Sequence, residues 1–467
     1  MATASPQQIR TTTTDLLKIN HPIMLAGMNV AAGPKLAAAV SNAGGLGVIG
    51  GVGYTPDMLR EQVAELKGYL KDKSAPFGVD LLLPQVGGSA RKTNYDYTKG
   101  KLDELVSIII DSGAKMFVSA VGVPPKHVVD RLHGAGIFYM NMIGHPKHVK
   151  KCLDLGVDLI CAQGGEGGGH TGDVPTSILI PTVAAMCKGH KSPMTGAPVQ
   201  VVAAGGLYNG QSLAAAMALG ASAVWIGTRF VLSEEAGAPK AHQEAVRTAG
   251  FDDNVRTIIF TGRPLRVRSN PYIHNWETNR QNDIKDLTEK GVIPVEADLE
   301  RMGDDIDDET MDNARPFLMG KASAVVNEKK SAKVIIDEMV TEAVEWIQKS
   351  NSAVMPKTSS SIRPPCCRAG VAPGYCARPS DPIALPISPP IDFFAYLRVR
   401  GTLPAGAVIT NEPGIYFRQF PLEQELKDGM WKGVIDEEVL KRYWEVGGVR
   451  IEDDILVKEG GFENLRR

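Results

Sequence analysis

The chain has 467 residues, 43% of them hydrophobic and 22% charged, with a formal net charge of -2 at pH 7. That length accommodates two or more domains with sizeable cores, and the near-neutral balance offers no broad basic face for nucleic acid. No apolar run reaches bilayer length, the opening MATASPQQIRTTTTDLLKIN lacks the apolar centre of a secretory signal, and six scattered cysteines outline no disulfide framework. A cytoplasmic protein with no membrane partner is the expectation.

From Asn20 to about Gly250 a short apolar run, a glycine-bearing turn and a helix-like segment recur. The strand candidates are PIMLA from Pro22, LGVIGG from Leu46, FGVDLLL from Phe77 and KMFVSAVG from Lys115. IFYMNMI from Ile137, DLICAQ from Asp158, VQVVAAGG from Val199 and AVWIGT from Ala223 continue the series. Between them, PKLAAAVSNAG and GQSLAAAMALGA carry helical spacing. Strands that alternate with helices imply a parallel sheet, because parallel neighbours need a crossover. Eight such units in about 230 residues predict the α/β class and a closed (β/α)8 barrel.

Beyond Gly250, FDDNVRTIIFTGRPLRVRSNPYIHNWETN reads as an extended excursion, followed by acidic helical segments to about Lys349, an appended helical subdomain. From Met355 the composition turns to proline, serine and small residues without periodicity, which predicts a disordered linker over 355–392. Residues 393–467 regain strand-like and charged segments in a stretch short for a core of its own. The expected domains are thus 1–354, the linker, and a small α+β tail.

In barrel enzymes the active site lies at the carboxyl ends of the strands, and phosphate groups favour the turns after strands seven and eight. Gly205-Gly206 and Gly227-Thr228 occupy those turns, and bare amides with one hydroxyl suit a phosphate monoester. After strand six comes CAQGGEGGGHTG, five glycines within six positions ahead of His170. Glycine is costly in backbone entropy, so such a run marks a sharp bend or a ligand lying on the backbone. The alternative, a flexible surface loop with an incidental histidine, sits poorly at a barrel mouth.

Three other patterns carry less. Gly45, Gly47 and Gly50 spell GxGxxG, yet the motif must follow a strand and open a helix, and here a helix precedes it. His145, His148 and Cys152 are spaced like zinc ligands but lack an evident fourth, so a solvated helix face is the better reading. Cys152, Cys161 and Cys187 read as core residues rather than nucleophiles.

PIMLAGM, NAGGLGVIGG, PFGVDLLLP, CAQGGEGGGHTGD, VVAAGGL, WIGTRF and FTGRP occur in an order that resembles the nitronate monooxygenase (2-nitropropane dioxygenase) family, FMN-dependent barrels, over about residues 15–350. The resemblance implies that Ala26, Gly27 and Met28 lie against the flavin through backbone atoms. Asp80 takes a place where the family often has a polar, commonly amide, residue. Gln163 and Gly168 would border the ring and ribityl chain, Gly205, Gly206 and the run Trp225, Ile226, Gly227, Thr228 would hold the phosphate, and His170 matches the catalytic histidine. An imidazole titrating near neutrality can take the α-proton of a nitroalkane or, protonated, stabilise the nitronate anion. The implied reaction oxidises nitronates or nitroalkanes with O2 to a carbonyl compound and nitrite, the redox chemistry belonging to FMN. An FMN-dependent NAD(P)H:quinone reductase is the alternative, and a homo-oligomer is an open assembly state.

TNEPGIYF from Thr410 and GGVRIEDDILV from Gly447 resemble the end of a prolidase, a pita-bread metallopeptidase. That family's metal-binding glutamates match Glu412 and Glu452. Its upstream aspartates and histidine find no counterpart, since all nine histidines lie at or before His274. Two carboxylates cannot build a bridged metal pair. The tail is therefore expected to be a truncated fragment with vestigial ligands, no bound metal and no peptidase activity.

Overall fold

The computed structural model describes residues 7–84, 91–303 and 306–352, together with five short strands of the tail. Strands β1 (Ile23–Leu25), β2 (Gly47–Gly51), β3 (Phe77–Leu82), β4 (Met116–Ala120), β5 (Phe138–Ile143) and β6 (Leu159–Gln163) come first. A two-residue strand β7 (Gly169–His170) precedes β8 (Gln200–Ala204) and β9 (Ala223–Ile226). All of these except β7 form one parallel sheet in the order β1-β9-β8-β6-β5-β4-β3-β2, and a parallel bridge between Met24 and Leu46 brings β2 back to β1. The eight sequence runs are the eight staves of this (β/α)8 barrel.

A stave is buried on both faces, so alternation shows in direction rather than polarity. Met116 and Val118, Phe138 and Met140, and Leu159 and Cys161 point inward, where Leu17 and Ile19 join them. Phe117, Tyr139 and Ile160 point outward to the helices. Local chemistry sets the helix ends. Thr55 accepts a hydrogen bond from the amide of Met58 ahead of the helix Pro56–Tyr69, which buries Leu59, Val63 and Leu66 along one stripe. Gly113, at φ 72°, stops the helix Leu102–Ser112.

The excursion is an antiparallel pair, β10 (Asn254–Thr257) with β11 (Leu265–Arg268), and β11 also pairs with β7. Helices Pro271–Asn279, Gln281–Lys290 and Pro294–Met302 follow and, with the pair, enclose a small core around Trp276, Ile273 and Val267. The long helix Ala332–Ser352 then returns to the barrel and buries Ile335, Ile336, Met339, Val340 and Ala343 against the helices Pro34–Asn42 and Gly210–Ala218. The helical subdomain thus lies between stave β9 and the helix that completes the outer ring.

The chain divides into two compact units, Met1–Pro356 and Lys357–Arg467. In the second, β12 (Val408–Asn411), β15 (Asp453–Lys458) and β16 (Gly461–Asn464) form an antiparallel sheet, and β13 (Gly414–Tyr416) pairs with β14 (Gly448–Arg450). Glu412, Glu452 and the expected linker lie outside the described residues.

Candidate active site

A cavity of about 1050 Å³ opens at the carboxyl ends of the staves. Ala26, Gly27, Met28, Asp80, Gln163, Gly168, His170, Gly205, Gly206, Trp225, Gly227 and Thr228 all line it. Ile226 does not. Its side chain is fully buried among the outward-facing residues, and it meets the mouth only through its carbonyl, which accepts from the amide of Ala26 at 2.9 Å. The cause is the two-residue period of a strand: Trp225 faces the barrel axis, so its neighbour cannot.

The glycine-rich segment is a fixed wall. Gln163 Nε2 donates to the carbonyl of His170 at 2.7 Å, and Thr171 Oγ1 donates to that of Gly164 at 3.0 Å. Glu166 accepts from the amide and hydroxyl of Thr176, whose Oγ1 also reaches the carbonyl of Gly205 at 2.8 Å. From the excursion, Arg266 donates through Nε and Nη2 to the carbonyl of Gly165, at 3.1 and 2.8 Å, and Arg256 donates to that of Gly172 at 2.8 Å. A Cβ on Gly168 would lie 2.6 Å from the amide nitrogen of Gly320, so only glycine allows the two backbones to touch.

His170 occupies β7 opposite Leu265 of β11. Its Nε2 lies 3.0 Å from Thr261 Oγ1, and that hydroxyl is 3.4 Å from the carbonyl of Arg263. When that hydroxyl gives its proton to the carbonyl it accepts from the ring, and in that tautomer Nε2 is protonated and Nδ1 keeps the lone pair. Burial and then the charge of Arg263 push the imidazole down to about 4. The expectation of a ring titrating near neutrality is corrected accordingly: at pH 7 it is neutral.

Asp80 is 2% exposed on the inner face of β3, its Oδ1 has no hydrogen-bond partner among the described residues, and burial lifts its carboxyl to about 7. Gly27 is its counterpart, since a Cβ there would lie 2.1 Å from Asp80 Oδ2. Behind this floor the GxGxxG glycines do a packing job. A Cβ on Gly47 would strike the carbonyl of Ala37, and one on Gly50 the amide of Met28.

Thr261 and Arg263 fall within FTGRP, a stretch the sequence marks without assigning roles to its members. Arg256 and Arg266 carry no sequence signal, because their task is defined by fold contacts 84 and 101 residues away. Cys152, Cys161 and Cys187 are buried, and burial raises each thiol, Cys152 to about 12 and Cys187 to about 11. His145 and His148 sit at the cavity lip, and among the described residues no group of His, Cys, Asp and Glu could hold a metal.

Comparison with known proteins adds an independent line. The family profile described as nitronate monooxygenase matches residues 10–342, and that of metallopeptidase family M24 matches residues 388–459. A Mycobacterium tuberculosis protein named (3aS,4S,5R,7aS)-5-hydroxy-7a-methyl-1-oxo-octahydro-1H-indene-4-carboxyl-CoA dehydrogenase is 35% identical over 271 residues, 58% of this chain and 69% of its own. A probable nitronate monooxygenase of Staphylococcus saprophyticus is 30% identical over 294 residues, 57% of this chain and 81% of its own. The solved structure of FabK from Thermotoga maritima is 31% identical and superposes with a TM-score of 0.59, covering 74% of this chain and all of that one.

Proposed function

Because the chain belongs to the nitronate monooxygenase family, and is an oxidoreductase on that ground, we propose that it binds FMN and oxidises alkyl nitronates or nitroalkanes with O2 to a carbonyl compound and nitrite. The observation that carries the reading is the position of His170, neutral and orientated by Thr261, on the wall of a cavity that ends at Gly205-Gly206 and Gly227-Thr228.

The residues present fit a flavin mononucleotide. Ala26, Gly27 and Met28 line the cavity, and Gly27 lets the Asp80 carboxyl lie against this segment, where it can reach the edge of a flat ring. Gly205 and Gly206, at φ 92° and 73°, turn the backbone in the left-handed region, where a phosphate can approach amides unshielded by side chains. Asp80 departs from the family's common amide, yet a carboxyl lifted to about 7 is substantially protonated at neutral pH and can donate as an amide does. The flavin would supply the electron transfer from substrate to oxygen.

Everything before that transfer falls to the protein. Neutral His170 accepts the α-proton of a nitroalkane on Nδ1, which leaves the substrate as its nitronate anion. The resulting imidazolium stands beside that anion, while Thr261 holds the ring plane through Nε2.

A second reading takes its support from the width of the cavity and from the lysines at its lip. A larger, anionic substrate would fit there, as the name of the 35%-identical CoA-ester dehydrogenase describes for that protein. The deciding experiment is direct. The purified chain is expected to be yellow with FMN at close to one per chain, and anaerobic nitronate should bleach it faster than NADH. A colourless protein that stays so when offered FMN overturns the proposal, and faster bleaching by NADH moves it to the quinone-reductase alternative.

A further inference from the structure

We propose that the cavity lip beyond β5 is a second anion site, built from His145, Lys147, His148 and Lys151, which anchors the phosphate-bearing handle of a substrate larger than a nitroalkane. The inference deepens the proposed function, since it takes the turns after β8 and β9 to be filled by the cofactor's own phosphate.

The chain leaves β5 at Ile143 and makes a tight turn over Pro146–His148 into the helix Val149–Leu155. All four side chains line the cavity and all are exposed, so their charges border the space a substrate enters through. His145 Nδ1 accepts from the amide of Lys147 at 3.1 Å, which fixes that ring and leaves Nε2 to donate outward. The rings of His145 and His148 stand edge to face with centroids 6.4 Å apart.

Two observations mark this as a site rather than a solvated face. First, Lys147 and Lys151 make no ion pair among the described residues, whereas Lys150, between them in sequence, is paired with Asp154 at 2.7 Å. Second, among the described residues the cavity holds few free carboxylates. Lys147, Lys151, Arg91 and Arg263 line it without an ion pair among the described residues, and Arg315 lines it paired with Asp312 at 3.3 Å, against Asp80, Glu166 and Asp173. Of those carboxylates Asp80 lies deep inside, Glu166 is engaged by Thr176, and Asp173 is paired with Arg256 at 2.8 Å. A chain of net charge -2 has thus gathered uncompensated cations at one opening, an arrangement that raises the local concentration of a multiply charged anion.

The site is distinct from the one given to the cofactor. In the sheet β6 separates β5 from β8, so the lip lies two staves from the turn at Gly205-Gly206. A singly charged nitronate needs no such cluster. Lysine acts as a point charge for phosphate without demanding one geometry, which suits a flexible phosphorylated tail.

The test uses the full-length holoprotein and two probes, coenzyme A and NADPH, with dissociation constants from calorimetry at about 0.02 M and about 0.2 M salt. At least one probe is expected to bind, more weakly at the higher salt, and K147E/K151E should bind it at least tenfold more weakly. K147R/K151R and the neighbouring K150Q should bind as wild type does. Binding of coenzyme A alone identifies a carrier thioester, and binding of NADPH alone a nicotinamide donor; either supports the site. Failure of both probes, or a loss in K147E/K151E no greater than in K150Q, overturns it. If thermal melting shows that the charge-reversed pair does not fold, K147M/K151M replaces it under the same criterion. Nitronate oxidation by the wild-type protein is read separately, so a chain that binds coenzyme A yet leaves nitronate untouched would sink the nitronate reading and keep the site.

Discussion

His170 and Asp80 titrate in opposite senses for one reason, since burial penalises whichever form carries charge. With His170 lowered to about 4, the base role proposed for it is expected to persist well into acid. Turnover of a neutral nitroalkane should hold its plateau below pH 6 and fall along a limb near about 4. His170→Ala should keep its flavin and lose roughly two to four orders of magnitude on neutral nitroalkanes, with far less loss on pre-formed nitronate, which needs no deprotonation. Equal losses on both substrates would remove the base assignment. For Asp80 the folded chain retains a proton that the unfolded chain releases near 3.8. Stability is therefore fullest below that value and is lost as the pH rises toward about 7, by about 4 kcal/mol for a shift of this size. Asp80→Asn should remove that slope. Denaturant midpoints of the flavin-free protein at about pH 5 and about pH 8 should differ in the wild type and converge in the variant. Ile226 was legible at this scale too, because the period of WIGT places Trp225 and Ile226 on opposite faces.

Among elements, the staves could be read because each is an apolar run closed by a glycine turn, and barrel order then places those turns on one mouth. The β7–β11 pairing could not. A strand of two residues has no period, and its partner is specified by a contact between distant segments. For the same reason the sequence puts the helix Ala332–Ser352 with the appended subdomain, although it packs on the helix Gly210–Ala218 of the barrel. Arg266 belongs to this unread layer. Arg266→Ala removes two charged donors from the carbonyl of Gly165, worth about 1.5–3 kcal/mol for hydrogen bonds of this kind. Flavin should then bind at least about tenfold more weakly and the amides of 164–172 exchange faster, while stave amides stay protected. Unchanged flavin retention on dialysis would show that the wall stands without its strut.

On the scale of the whole molecule, every residue assigned to the candidate site lies within the unit Met1–Pro356. A chain ending at residue 354 is expected to hold FMN and turn over nitronate as the full chain does, and the full chain with added Mn2+ to leave Xaa-Pro dipeptides uncut. Loss of flavin on truncation would give the tail a structural role, and cleavage would revive its metal ligands. The helix that completes the outer ring also fixes when competence can arise. A nascent polypeptide halted near residue 250 already owns all eight staves, yet neither the strut on its glycine wall nor its closing helix has left the ribosome. Such an intermediate would be a barrel in outline with an unbuilt mouth, so chains halted near residue 250 are expected to retain no FMN where chains reaching residue 354 retain it.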